Sequence, residues 1–136
     1  MGAESTAPVV YLLDTATLLW VIAEPDRLSR DARAIWTNPR ALIAVSVVSY
    51  WEIAIKAAKG ILKIDDVGEW WQRRALLYVD MKPVHVREEH VTELLLLPQL
   101  HKDPFDRMLI AQARVENMPL VTPDKLIRTY DVRTIW

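Results

Sequence analysis

Four acids of the 136-residue chain occupy one kind of position. Asp14 and Asp124 each come at the end of a short apolar run, 9–13 and 120–122. Glu52 and Asp106 each fall in the expected first turn of a helix, opened by Ser49 and by Asp103. Carboxylates serve as general acids and bases, as nucleophiles and as ligands for hard cations. Two of them about 4 Å apart repel by roughly 4 kcal/mol at an effective dielectric near 20. Four in one cleft must protonate, pair with Lys or Arg, or bind a cation, and all-oxygen ligation suits Mg²⁺ or Mn²⁺. One such ion, or two about 3.5–4 Å apart, activates water and stabilises the leaving oxygen of a phosphodiester.

Each acid also has a purely local reading. Asp14 can cap a helix, Glu52 can complete a capping box with Ser49, and Asp124 can sit in the turn after Pro123. Asp103 reads as the N-cap of the helix that starts at Pro104. Thr15, Ser49 and Thr122 are polar neighbours suited to holding carboxylates or water, and His101 reads as a surface or capping residue. Other chemistries are poorly served. The chain has no Cys, hence no disulfide, thiolate zinc site or Cys nucleophile. Its three His are not spaced as HExxH. Asp14-Thr15-Ala16-Thr17 lacks the second acid, two residues on, that haloacid-dehalogenase-type aspartyl nucleophiles use.

The elements that must position these acids follow from the apolar pattern. The runs 9–13 and 41–46 are continuous and rich in β-branched residues, as in strands buried on both faces. Residues 82–86, 120–122 and 132–136 read as shorter strands or extended links, the last at an edge. Helices are expected around 17–22 (stopped before Pro25), from Ser29 to Trp36, and from Ser49 to Lys59 with Gly60 as the C′ residue. Further helices are expected from Asp66 with Trp70, Trp71, Leu76 and Leu77, over 88–97, from 104 to about 117, and briefly from Asp124. Alternating strands and helices indicate a single α/β domain over 9–136, a mainly parallel sheet with helices on both faces, after a loose leader over 1–8. Right-handed crossovers bring every strand's carboxyl end to one edge of such a sheet, where the four acids would meet.

Lys and Arg number 17 against 18 Asp and Glu, a net charge of −1, so bulk electrostatic binding of nucleic acid is not the expected role. The 51% apolar content excludes disorder, and no apolar run approaches the roughly 20 residues needed to span a bilayer. A cytoplasmic protein without a membrane segment is expected. Trp51, Trp70, Trp71 and the run 94–97 exceed what one small core accommodates, which points to a protein interface.

Four blocks in order carry a family resemblance: Leu-Leu-Asp-Thr at 12–15, Ser-Tyr-Trp-Glu at 49–52 with its Ile-Ala-Ile-Lys extension to 56, Asp-Pro-Phe-Asp-Arg-Met-Leu-Ile-Ala-Gln-Ala at 103–113, and Leu-Val-Thr-Pro-Asp at 120–124. The chain resembles the PIN domains, and among them the bacterial VapC-type toxins. That resemblance implies an Mg²⁺- or Mn²⁺-dependent endoribonuclease, neutralised by a cognate antitoxin, homodimeric, and acting on structured RNA such as tRNA or rRNA. It implies that Asp14, Glu52, Asp106 and Asp124 are the catalytic, metal-holding acids, with Asp103, Thr122, Ser49 and Thr15 beside them. A catalytically inert binding module on the same fold, or an aspartyl-nucleophile phosphatase or phosphoacceptor, are the alternatives.

Overall fold

A computed structural model describes residues 8–62, 67–77 and 81–136. The leader except Pro8, and the expected helix start at Asp66, lie outside the described residues, as do the side chains of Leu76 and Leu77. The elements in order are β1 (Val10–Leu13), α1 (Thr15–Ala23), a 3₁₀ turn (Pro25–Arg27), α2 (Arg30–Thr37), β2 (Leu42–Ser46) and α3 (Val47–Ala58). They continue with α4 (Val67–Leu77), β3 (Lys82–Val84), α5 (Glu88–Leu94), α6 (Pro104–Val115), β4 (Leu120–Val121), a second 3₁₀ turn (Ile127–Thr129) and β5 (Thr134–Ile135).

The five strands form one sheet in the order β3-β2-β1-β4-β5, with each pairing parallel. Val10 lies opposite Leu42, Leu13 opposite both Val45 and Val121, and Ser46 opposite Val84. The chain builds outward from β1 to β2 and β3, then returns to the other side of β1 for β4 and β5. The order therefore reverses between β1 and β4, and ligands of open α/β sheets bind in the crevice outside such a reversal.

Alternating side chains feed two cores. Leu12, Ala44 and Leu120 pack with Leu109 and Ile110 of α6 on one face. Leu13, Ile43, Val45 and Val121 pack with Leu18, Val21 and Ile22 of α1 and Ala32 of α2 on the other. Because Leu109 is fully buried, truncating it to Ala would cost about 2–5 kcal/mol, and that packing anchors α6.

Three boundaries differ from the sequence reading. β2 passes straight into α3 with no loop, and Ser46 caps the helix by accepting a hydrogen bond from the Val48 amide at 3.1 Å. Ser49 is thus already inside the helix and Glu52 lies in its second turn, so the expected Ser49–Glu52 capping box is replaced by the Ser46 cap. Helix α5 stops at Leu94, leaving Leu95 and Leu96 at 84% and 68% exposed while Leu97 turns into the core. Helix α6 ends at Val115, with Asn117 at φ 53, a left-handed position Asn tolerates. Gly60 (φ 71) does follow α3 in the left-handed region. Among the described residues no helix is long and apolar enough to cross a membrane.

Candidate active site

Asp14 leaves β1 and caps α1. One oxygen accepts from the Thr17 amide at 2.8 Å and the other from the Thr122 hydroxyl at 2.6 Å. Burial pushes its carboxyl above the usual Asp value of 3.8, against those hydrogen bonds, and the nearby charge of Asp124 adds to the rise. The buried Thr122 hydroxyl also accepts the Asp124 amide at 3.0 Å, so one side chain ties the ends of β1 and β4 together. Thr17 adds a bond to the Val121 carbonyl at 3.0 Å. Thr15 donates to Ser49 at 3.0 Å, linking α1 to α3, and Ser49 therefore meets a hydroxyl rather than a carboxylate.

Glu52 is buried on the inner face of α3. Its Oε2 accepts from Lys56 one turn on, while Oε1 is buried with no hydrogen-bond partner among the described residues. An orphaned carboxylate oxygen in the interior is costly unless something positive meets it.

Asp103 caps α6 through one oxygen, which accepts from the Phe105 and Asp106 amides at 2.8 and 3.3 Å. Asp106, in the first turn, points into the cleft with its pKa pushed up to about 7. Burial is the largest cause, followed by the charges of Asp103, Glu52 and Asp14, with His101 partly offsetting them. Asp124 differs. Burial pulls it up, but bonds from His101 and from the Ile127 and Leu126 amides outweigh that and hold it below the usual range.

His101 departs from the sequence reading in its burial and its carboxylate partners, while its bond from the Asp103 amide is a capping contact. It is buried, and its Nε2 lies 3.2 Å from Asp106 and 3.1 Å from Asp124. Its Nδ1 accepts the Asp103 amide at 3.1 Å, which leaves Nε2 as the protonated nitrogen. Although His101, Asp106 and Asp124 cluster closely enough to enclose an ion, that tautomer makes His101 a donor that draws the two carboxylates together, not a ligand. The Tyr130 hydroxyl sets the loop that delivers it. This oxygen accepts from the His101 and Leu100 amides at 2.7 and 3.2 Å and from Arg107 at 3.2 Å, and donates to the Pro98 carbonyl at 3.0 Å.

Asp14, Glu52, Asp103, Asp106 and Asp124 thus line one cleft of about 480 Å³ with Lys56, among apolar residues that include Leu19, Ile53 and Ile61. Five carboxylates face one ammonium. The all-oxygen donor set, the orphaned Glu52 Oε1 and the upward-shifted Asp106 fit a divalent cation; Asp106 and Asp124 lie close enough to share one, and Asp14 and Glu52 line the same cleft. The contact of His101 with Asp124, 23 residues on, and that of Tyr130 with Pro98, 32 residues back, are beyond what local sequence pattern shows. The signal available was His101 standing two residues before a helix cap.

The sequence and fold have known relatives. The family pattern of the PIN domain matches residues 11–132. Ribonuclease VapC22 of Mycobacterium tuberculosis is 30% identical over 121 residues, which cover 88% of this chain and 90% of that protein. The crystal structure of VapBC2 from Rickettsia felis, bound to a promoter DNA fragment, superposes with a TM-score of 0.72 at 13% identity, covering 93% of this chain and 98% of the other. DNA-bound VapBC from Salmonella typhimurium superposes at 0.70 and 14%, covering 93% and 97%. Matched across nine-tenths of its length by sequence pattern, by a relative and by fold, the chain belongs to the PIN-domain family.

Proposed function

We propose that this protein is a VapC-type toxin, an Mg²⁺- or Mn²⁺-dependent endoribonuclease that hydrolyses RNA phosphodiester bonds and is neutralised by a protein antitoxin. The observation that carries this reading is the convergence of Asp14, Glu52, Asp106 and Asp124, from four different elements, on a cleft with one compensating ammonium. The relationship to ribonuclease VapC22 supports RNA as substrate, and the likeness to VapBC complexes supports an antitoxin partner. Trp51, Leu95 and Leu96, exposed at 61%, 84% and 68%, supply apolar surface for that partner or for a second copy in a homodimer. Its action is placed in the cytoplasm, where tRNA and rRNA reside.

A divalent ion held by these acids would supply Lewis-acid activation of water and neutralise charge developing on the phosphate oxygens. The chain's own residues prepare for it. Thr122 and the Thr17 amide orient Asp14, while His101 holds Asp106 and Asp124 side by side. Asp106 must lose its proton before it can ligate, so cation binding should strengthen as pH rises.

The test is cleavage of single-stranded and structured RNA by the purified chain with Mg²⁺, with Mn²⁺ and with EDTA. Cleavage only with metal, leaving no 2′,3′-cyclic phosphate ends, is the expected result. Cleavage that persists in EDTA, or cyclic phosphate products, would overturn the mechanism.

A further inference from the structure

We propose that Lys56 is the residue that grips the RNA phosphate, and that cation binding to the acids releases it to do so; this rests on the ribonuclease reading above. Lys56 stands one turn beyond Glu52 on α3, with its Nζ on Glu52 Oε2. Its side chain is 41% exposed where that of Glu52 is 5%, so the ammonium sits at the mouth of the cleft and the carboxylate at its floor. Among the described residues that line the cleft it is the one cation, facing five acids. Its ammonium feels Glu52 first and Asp103 and Asp106 beyond it. A single positive charge cannot balance that set, and it reaches only one of the two Glu52 oxygens.

A dication seated among the acids cancels most of the field that holds Lys56 on Glu52. The lysine stem is long and flexible, and its ammonium can turn to any strong anion within reach. At the mouth of a cleft that admits RNA, that anion is a phosphate of the strand. Neither Arg107 nor Arg74 lines the cleft. Arg107 bonds the Pro98 carbonyl at 2.9 Å and the Tyr130 hydroxyl, and Arg74 lies on the Trp71 ring at 3.7 Å. Lys56 thus serves as counter-ion to Glu52 in the metal-free cleft and as phosphate ligand in the loaded one.

The test reads binding rather than turnover. A labelled mixed-sequence single-stranded RNA is titrated with the full chain and with Lys56→Met at several KCl concentrations, in EDTA and in Ca²⁺ as a stand-in for the activating ion. Lys56→Gln and Lys56→Arg are run beside it, and melting curves in EDTA establish that each variant is folded. In Ca²⁺ the unsubstituted chain should bind about tenfold tighter than Lys56→Met, as for one charge-assisted hydrogen bond. Its log K against log[salt] slope should be steeper by about 0.7. In EDTA the two should coincide, and Lys56→Arg should keep the steeper slope. The melting shift given by Mn²⁺ should be as large or larger in Lys56→Met, because a competing cation is gone. Equal RNA binding by Lys56→Met and the unsubstituted chain in Ca²⁺ would overturn this inference alone, as would an equal loss in EDTA and Ca²⁺. No cation-stimulated RNA binding by the unsubstituted chain would overturn the ribonuclease reading and this inference with it.

Discussion

Each end of α6 meets a buried histidine, and the two ends are wired alike. Past the C-terminal end, His90 Nδ1 accepts the Arg87 amide at 3.0 Å and its Nε2 meets Glu116 at 2.9 Å. At the N-terminal end, His101 Nδ1 accepts the Asp103 amide and its Nε2 meets Asp106 and Asp124. The charge balance differs. Arg87 joins His90 on Glu116, and the hydrogen bonds from His90 and then Arg87 hold that carboxyl below its usual range. No guanidinium joins the His101 pair among the described contacts, and Asp106 is driven up to about 7. The first is a latch between α5 and α6, complete in itself. The second is left electrostatically unfinished, and that marks it as the site. Cavity size does not make the distinction. The concavity beside Glu116 is the larger, about 730 against 480 Å³, but its Arg114 and Glu93 pair at 2.9 Å.

The sharpest break between the two ends should come from neutralising one carboxylate at each. Asp106→Asn should lower cleavage by about a thousandfold or more, since several kcal/mol of charge stabilisation depend on the cation it helps to hold. The metal-free fold should stay as stable or become more so, because a repelled charge is gone. Glu116→Gln should leave the cleavage rate unchanged and cost about 1 kcal/mol by denaturant melting. Full activity in Asp106→Asn would remove the distinction.

The pH dependence should separate them next. Asp106 holds its proton more tightly in the folded chain, about 7 against 3.8. The folded state is therefore favoured at low pH, and that advantage disappears as pH rises from about 4 through about 7. Asp14, also raised, acts in the same direction. Glu116 and Asp124 are lowered, so their contribution is lost only as pH falls below the usual carboxylate range. Urea melts of the metal-free chain should show stability falling across that window by on the order of a few kcal/mol. Asp106→Asn should reduce the slope and leave the part that Asp14 contributes, whereas Glu116→Gln should keep all of it.

What the sequence made legible, and what it hid, follows from how far each interaction reaches. The Asp103 cap, the arrest of α1 before Pro25 and the strands β1 and β2 are local, and each appears where its residue pattern places it, although Val9 and Leu42 at the start of the two apolar runs are exposed rather than buried. The parallel sheet followed from strand–helix alternation, and with it the common edge for the acids. The start of α3 was misplaced because Ser46 is at once the last residue of β2 and the cap, so no loop marked the junction. His101 was misjudged because its burial depends on the Tyr130 hydroxyl, 29 residues on. Trp51, read as core or interface by helical spacing, is outside the core: it is 61% exposed and touches Phe105 edge-on at 5.1 Å.

Exchanging the histidines should give the next smaller contrast. His101→Ala removes the donor between Asp106 and Asp124 and should weaken cation binding and cleavage about 10–100-fold, as loss of a ligand-orienting group does. His90→Ala should spare both and cost stability, about 1–3 kcal/mol, by removing one of the two partners of Glu116 and opening a hole. Mn²⁺ titrations of the two variants distinguish the outcomes.

The smallest effects concern Asp103, which touches the cleft but uses one oxygen as a cap. Asp103→Asn should keep most activity, since Asn caps nearly as well, while Asp103→Ala should cost roughly 1 kcal/mol of stability. If Asp103→Asn is folded yet as inactive as Asp106→Asn, both acids belong to the cation site.

Cation binding itself is the most direct test. Melting of the full chain at pH 8 with and without Mn²⁺ should show a saturable upward shift, since a ligand that binds only the folded state stabilises it. Asp106→Asn should lose that shift and Glu116→Gln should keep it. An equal shift in Asp106→Asn, or none in the unsubstituted chain, would contradict a cleft built to hold a divalent ion.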